Sequence, residues 1–185
     1  CLAQDEYPEL DIQEVLGQVD QLVSRLKKRL PADAGSIHKL RVLNKFFFEE
    51  MGFAGNANNY YDPDNSYASV VLKTRCAIPI SLAVVWLELA QGLGLAARGV
   101  GFPGHFMVKV NLPKGQVVID PFNGRSLSRD ALDERLAPYR AMGYEVMRLT
   151  LNLSMPATAG RWQSTTAPPC VAWCSMRHTP IFSPA

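Results

Sequence analysis

His105 and Asp120 are the two residues of this sequence best placed to do chemistry together. His105 opens the run HFMVKVNL (105–112) and Asp120 ends the run QVVID (116–120). Both runs are rich in β-formers, and Pro113, Lys114 and Gly115 between them make a hairpin turn. Pairing the runs around that turn brings His105 and Asp120 to the open end of the hairpin, where strand meets loop and catalytic groups tend to lie. An imidazole oriented by a carboxylate is the base half of nucleophilic acyl transfer, and the other half is a thiol or hydroxyl within reach. The same spacing also suits a strand-end His bonded to backbone and an Asp that opens a turn. Spacing alone does not separate the two.

Candidate partners lie upstream. Cys76 and Ser81 flank the start of IPISLAVVWLELAQGLGL (78–95), where a helix dipole would favour a thiolate. Three residues of extended chain reach about 10 Å, so Cys76 needs a tight turn to approach His105; otherwise it is an ordinary buried or half-buried thiol. Asn56, Asn59, Tyr60 and Tyr61 are candidates to line the same cleft, with Phe122 just after Asp120. Asn side chains there can bind an oxyanion or a peptide carbonyl. The plainer reading is a loop that caps helices and buries two tyrosines. Arg75, just before the helix, can hold a ligand carboxylate or simply Asp62 or Asp64.

The elements that must position these groups are readable from periodicity. Residues 10–30 form an amphipathic helix, with Ile12, Val15, Leu16, Val19, Leu22, Val23 and Leu26 at three- and four-residue steps and Asp11 as N-cap. The Lys27–Arg29 cluster suits its last turn, and Pro31 stops it. A second helix runs over 36–51, with Ile37, Leu40, Leu43, Phe47 and Met51 on one face. GNANNYYDPDNSY (55–67) is a turn-forming loop, and a short helix begins near Ser66. The segment 78–95 lacks a wide polar face, so it is buried on nearly all sides, with Pro79 in its first turn and Gly92 and Gly94 at its end. Strands follow at 96–102, 105–112 and 116–120, then a loop at 121–128. Ser128 or Asp130 caps a final helix through about Leu136. Helices, a small antiparallel sheet and a helix make an α+β domain.

Composition bounds the rest. A chain of 185 residues, 48% hydrophobic and 19% charged, suffices for one domain with a real core and an appended segment. A net charge of +2 gives no case for nucleic acid or an anionic membrane, and no apolar run reaches the roughly 18 residues of a bilayer span. The opening CLAQDEYPELD is acidic and unlike a signal peptide; it reads as the inside of a helix, so Cys1 is not expected to be the natural start. Four cysteines without a disulfide-framework spacing point to a reducing cytoplasm. No metal or cofactor is expected: Cys170, Cys174 and His178 lack a fourth ligand, and GLGLAARGVG follows a helix rather than a strand. The natural division is a helical part (1–52), a core (53–150) and an irregular Pro-rich tail (151–185). That tail reads as a disordered or draped extension, or as an out-of-frame translation.

The motifs NYYDPDNS (59–66), IPISLA (78–83), GVGFPGHF (99–106) and IDPFNG (119–124), in this order and spacing, resemble the SirB-type proteins, bacterial members of the transglutaminase-like (papain-type) superfamily. The resemblance covers residues 5–150. It implies a buried helix packed on a small antiparallel sheet, with the superfamily's Cys opening the helix and its His and Asp on adjacent strands. The wider pattern is Gly-x-Cys, a helix, His-x-Trp, then Asp-Pro. Laid on this chain, His105 and Asp120 take the His and Asp positions, and Pro79 takes that of the Cys. SirB-type proteins share this Ile-Pro-Ile pattern, so the resemblance implies that the missing nucleophile is a family trait. Arg75 resembles a family arginine, Ala77 stands where the family usually has Gly, and Cys76 has no usual counterpart. The family often continues into tetratricopeptide-like helices where this chain has its Pro-rich tail.

Three readings follow. One is a non-catalytic domain that binds a peptide or protein in the old cleft. Another is a hydrolase or acyl transferase using Cys76 or Ser81 with His105 and Asp120. The third is a structural or regulatory module that pairs with another chain, a second copy included, through its helical half.

Overall fold

The computed structural model describes residue 3 and residues 6–141. The first long helix, α1 (Ile12–Lys27), begins where expected: the Asp11 carboxylate accepts the Gln13 N–H at 2.8 Å. Its apolar stripe ends on the core through Leu22 and Leu26. Helix α2 (Ser36–Asn44) does not run on as a plain α-helix to Met51. It widens into a π turn over Lys45–Glu50, with the Met51 N–H reaching back to the Phe46 carbonyl at 2.8 Å. The extra residue per turn lets the consecutive Phe46 and Phe47 both enter the core, at 0% exposure each. Ile37, expected on the buried face, is instead 40% exposed. The Phe47 ring stacks on Phe53, centroids 4.2 Å apart.

The polar loop that follows is more ordered than turn residues alone suggest. Ala54–Gly55 (β1) pairs in parallel with Cys76–Ala77 (β2). Between them come a 3-10 turn at Pro63–Ser66, capped by the Asp62 side chain on the Asp64 N–H, and α3 (Ala68–Thr74). Helix α4 (Pro79–Gly92) then starts with a proline in its first turn, where the missing N–H leaves no intrahelical bond unmade. Trp86, fully buried on α4, donates its indole N–H to Asn44 Oδ1 at 3.1 Å and ties α4 to α2.

The sheet is antiparallel throughout, in the order β3 (Ala97–Phe102), β4 (His105–Leu112), β5 (Gly115–Ile119), β6 (Ser126–Leu127). Strand β6 lies inside the stretch expected to be loop, where Leu127 pairs with Val118 and Ser126 with Ile119. The β4–β5 turn is tighter by one residue than expected, because Leu112 pairs with Gly115 and leaves only Pro113 and Lys114 outside the ladder. Phe102 pairs with His105, so Pro103 and Gly104 alone turn the chain; Pro presets the first φ and Gly104 takes φ +66°, as a type II turn requires. Val108, Val110 and Ile119 share one core with α4. The last helix, α5 (Arg129–Ala141), is capped by Ser128 Oγ on the Ala131 N–H and extends past the expected Leu136 through Pro138. The tail from 151, the core's last residues 142–150, and Cys170, Cys174 and His178 lie outside the described residues.

Candidate functional site

Strand register decides where the two candidate residues point. Val108 pairs with Ile119, and both face α4. Alternation therefore turns His105 and Asp120 to the opposite face, as diagonal neighbours at the open end of the hairpin. There His105 Nε2 and Asp120 Oδ1 are 2.7 Å apart. The sequence expectation of a pair at this end is met by direct contact.

Asp120 is a hub rather than one end of a pair. Its side chain is 3% exposed and takes donors at both oxygens. Oδ1 accepts from His105 and from the Phe122 N–H at 3.0 Å; Oδ2 accepts from Asn123 Nδ2 at 3.3 Å and Arg135 Nη1 at 3.1 Å. Burial pushes its carboxyl up, but the His105 bond and charge, the Phe122 amide and Arg135 outweigh that and hold it below the usual carboxylate range. An ionised Asp120 places the imidazole proton on Nε2, which leaves the Nδ1 lone pair free for a reaction partner. The imidazole stays open to solvent, at 21% exposure.

Aromatic rings flank the imidazole. His105 meets Phe122 edge-on at 6.4 Å, Phe122 lies 6.3 Å from Tyr60, and Tyr60 meets Tyr61 edge-on at 5.4 Å. Phe122 is pinned from behind by β1: its carbonyl accepts the Gly55 N–H at 2.9 Å. A Cβ on Gly55 would lie 2.2 Å from the ring, so only glycine fits that approach. Tyr60 is half-buried, and burial first, then Tyr61, raises its phenol pKa. Tyr61 is 90% exposed, so the expectation that the loop buries both tyrosines is overturned for this one.

The asparagines do other work than binding an oxyanion. Asn56 Nδ2 donates to Asn65 Oδ1 at 3.0 Å, while its own Oδ1 accepts the Asn59 N–H at 3.1 Å. Asn59 Nδ2 donates to Asp62 at 2.7 Å, and buried Asn65 donates to the carbonyls of Asn59 and Tyr60. Their amides are spent holding the loop, which holds Tyr60 in place.

Pro79, buried at the head of α4, has no side-chain group able to attack a carbonyl. Cys76 is a half-buried free thiol on the β2 bridge opposite Ala54, and Ser81 is half-buried two residues into α4. Among the described residues, neither is hydrogen-bonded to His105, whose partner is Asp120. Arg75 takes neither Asp62 nor Asp64, which serve the loop and Tyr7. Its guanidinium lies over the Phe53 ring at 4.6 Å and faces α1. Sequence reasoning missed Arg135 and Asn123. Asn123 carried a signal, since an Asn three residues after an Asp in a turn commonly bonds back to it. Arg135 carried none, because its role depends on how α5 docks.

Comparison with known proteins agrees with this architecture. The family profile described as "Transglutaminase-like superfamily" matches residues 13–160. A UPF0162 protein of Xylella fastidiosa (strain 9a5c) is 40% identical over 146 residues, covering 78% of this chain and 51% of that protein. A UPF0162 protein of Vibrio cholerae is 26% identical over 157 residues, covering 84% and 58%. UPF0162 protein YchA of Escherichia coli (strain K12) is 32% identical over 122 residues, covering 65% and 45%. The chain thus spans about half the length of these relatives. No solved structure matches it. With a family profile matched over most of its length, this chain belongs to the transglutaminase-like superfamily.

Proposed function

We propose that this chain is a SirB-type, non-catalytic transglutaminase-like domain of the cytoplasm that binds a peptide or protein segment at the His105–Asp120 end of the sheet. The observation that carries this reading is the buried Pro79 at the head of α4, where the superfamily pattern sets its Cys, beside an intact His105–Asp120 pair. The ring series from His105 through Phe122 and Tyr60 to exposed Tyr61 gives a bound segment an apolar wall. Rigid aromatic side chains bind at low entropic cost and dominate many such contacts.

The test has two arms on the full chain. In the first, a displayed random-peptide library is selected against the parent, and binders are measured against Phe122→Ala and Tyr60→Ala. Selected peptides should lose tenfold or more in affinity to both variants. In the second, alkylation of Cys76 by iodoacetamide is compared in the parent and in His105→Ala, with Cys1, Cys170 and Cys174 replaced. Equal rates agree with a bystander thiol. A rate that collapses without His105 would make Cys76 a relocated nucleophile and discard the non-catalytic reading.

A further inference from the structure

A second site lies away from the His105 end. A recess of about 170 Å³ between α1 and α3 is lined by Gln18, Gln21, Leu22, Arg25, Leu72 and Arg75. Two arginines face it and, among the described residues, no carboxylate lines it. Arg75 Nη1 is wholly buried, yet among the described residues it has no hydrogen-bond acceptor. A buried charged donor without an acceptor is disfavoured, so this nitrogen calls for one.

The backbone is arranged to hold that guanidinium where it is. Arg75 is the single non-glycine residue with positive φ among the described residues, at +63°. It closes α3 by donating its N–H to the Val71 carbonyl at 2.9 Å, and its own carbonyl accepts the Ala54 N–H at 2.9 Å. This αL helix cap, bonded on both sides, fixes the Cα from which the guanidinium projects. The rings of Phe53 and Phe46 lie against the guanidiniums of Arg75 and Arg25, at 4.6 and 5.7 Å, and cover one face of each. Burial, then the like charge of Arg25, pushes Arg75 below its usual range, and an anion would relieve both. Leu22 and Leu72 add apolar wall, and a cavity near 150 Å³ is known to take a ligand of about six heavy atoms.

We infer that this recess binds the carboxylate of a short organic acid with an apolar tail, the carboxylate between Arg75 and Arg25 and the tail against Leu22 and Leu72. Guanidinium edges match a carboxylate's two oxygens, and the leucines favour a tail that inorganic phosphate lacks.

Isovalerate and inorganic phosphate serve as probes, titrated separately into the full chain in low-chloride buffer by calorimetry. The expected result is saturable isovalerate binding, tighter than phosphate, that weakens tenfold or more in Arg75→Gln and in Arg25→Gln. Arg25 is an exposed residue of α1, so its variant keeps the test decisive even if Arg75→Gln fails to fold. His105→Ala should bind isovalerate as the parent does, which separates this site from the proposed cleft. No saturable binding, binding indifferent to Arg25→Gln, or phosphate held as tightly as isovalerate would each overturn the inference.

Discussion

Replacing Asp120 by Asn tests the site by removing one charge while keeping shape. Asp120 accepts from four donors, and the two less exposed ones are the Phe122 amide and the His105 imidazole, the latter 21% exposed. A hydrogen bond to a charged group contributes about 1.5–3 kcal/mol and a neutral one about 0.5–1.5, so neutralising the acceptor costs about 1 kcal/mol at each. Arg135 is 40% exposed and can turn to water, so losing its partner adds under about 1 kcal/mol. The amide's own N–H groups then face the Arg135 and Asn123 donors. The sum is a loss of about 2–3 kcal/mol, or a urea midpoint lower by about 1–2 M for a typical dependence on denaturant. The pH dependence has a fixed sign. Because the folded-state pKa of Asp120 is depressed, its stabilisation is full above the unfolded value near 3.9 and is lost as pH falls through the folded value. The gap between parent and Asp120→Asn should therefore be widest at neutral pH and shrink below about pH 4. Urea melts followed by far-ultraviolet circular dichroism at several pH values measure it. A neutral-pH loss under about 1 kcal/mol, or a gap that does not narrow in acid, would refute the hub assigned to Asp120.

Gly55→Ala should cost about 1–3 kcal/mol, because the new methyl carbon must displace the Phe122 ring from 2.2 Å. Denaturant melts measure the loss, and a shifted His105 ring signal in NMR shows the displacement reaching the imidazole. Trp86→Phe leaves Asn44 Oδ1 without its donor and opens a void in a fully buried position, an expected loss of about 2–3 kcal/mol in the same melts. Tyr7 donates to the Asp64 carboxylate, and that bond first, then burial and the Asp64 charge, raises its phenol to about 12. An ultraviolet pH titration should show a late tyrosine ionisation that Tyr7→Phe removes; an unchanged titration curve would contradict the contact.

Much of this arrangement was legible in the residues. Apolar periodicity marked α1, a continuous apolar run with Pro79 in its first turn marked α4, and the β-rich runs around Pro113 brought His105 and Asp120 together, because hairpin register is a local property. What escaped was set by packing at a distance. The π turn at Lys45–Glu50 arises because two adjacent phenylalanines are both drawn inward, which no helical period encodes. Strand β6 is two residues long and exists because Ile119 and Val118 offer it an edge. Arg135 reaches Asp120 only once α5 has docked, and Arg75 turned to α1 because Phe53 lies beneath it. In the loop, composition announced turns, but the Asn56–Asn65 bond shows which amides were structural.

On the proposed non-catalytic reading, a His–Asp pair in a chain with Pro79 at the head of α4 has a physical reason within the fold. Proline is among the residues best tolerated in the first turn of a helix, so Pro79 starts α4 without loss. Asp120 is not dispensable in that way. Its backbone N–H bonds the Arg125 carbonyl at 2.9 Å and its carbonyl accepts the Gly124 N–H at 2.8 Å, closing the turn that leads to β6. Its side chain fastens Phe122, Asn123 and α5 while it orients His105. A proline at the head of α4 thus costs folding nothing, whereas giving up the Asp120 carboxylate unfastens a strand end, a loop and a helix. The pair's presence is therefore no argument for turnover. The aromatic wall beside it stands in place whether or not a reaction takes place there, held from behind by Gly55 and beneath by the asparagine network.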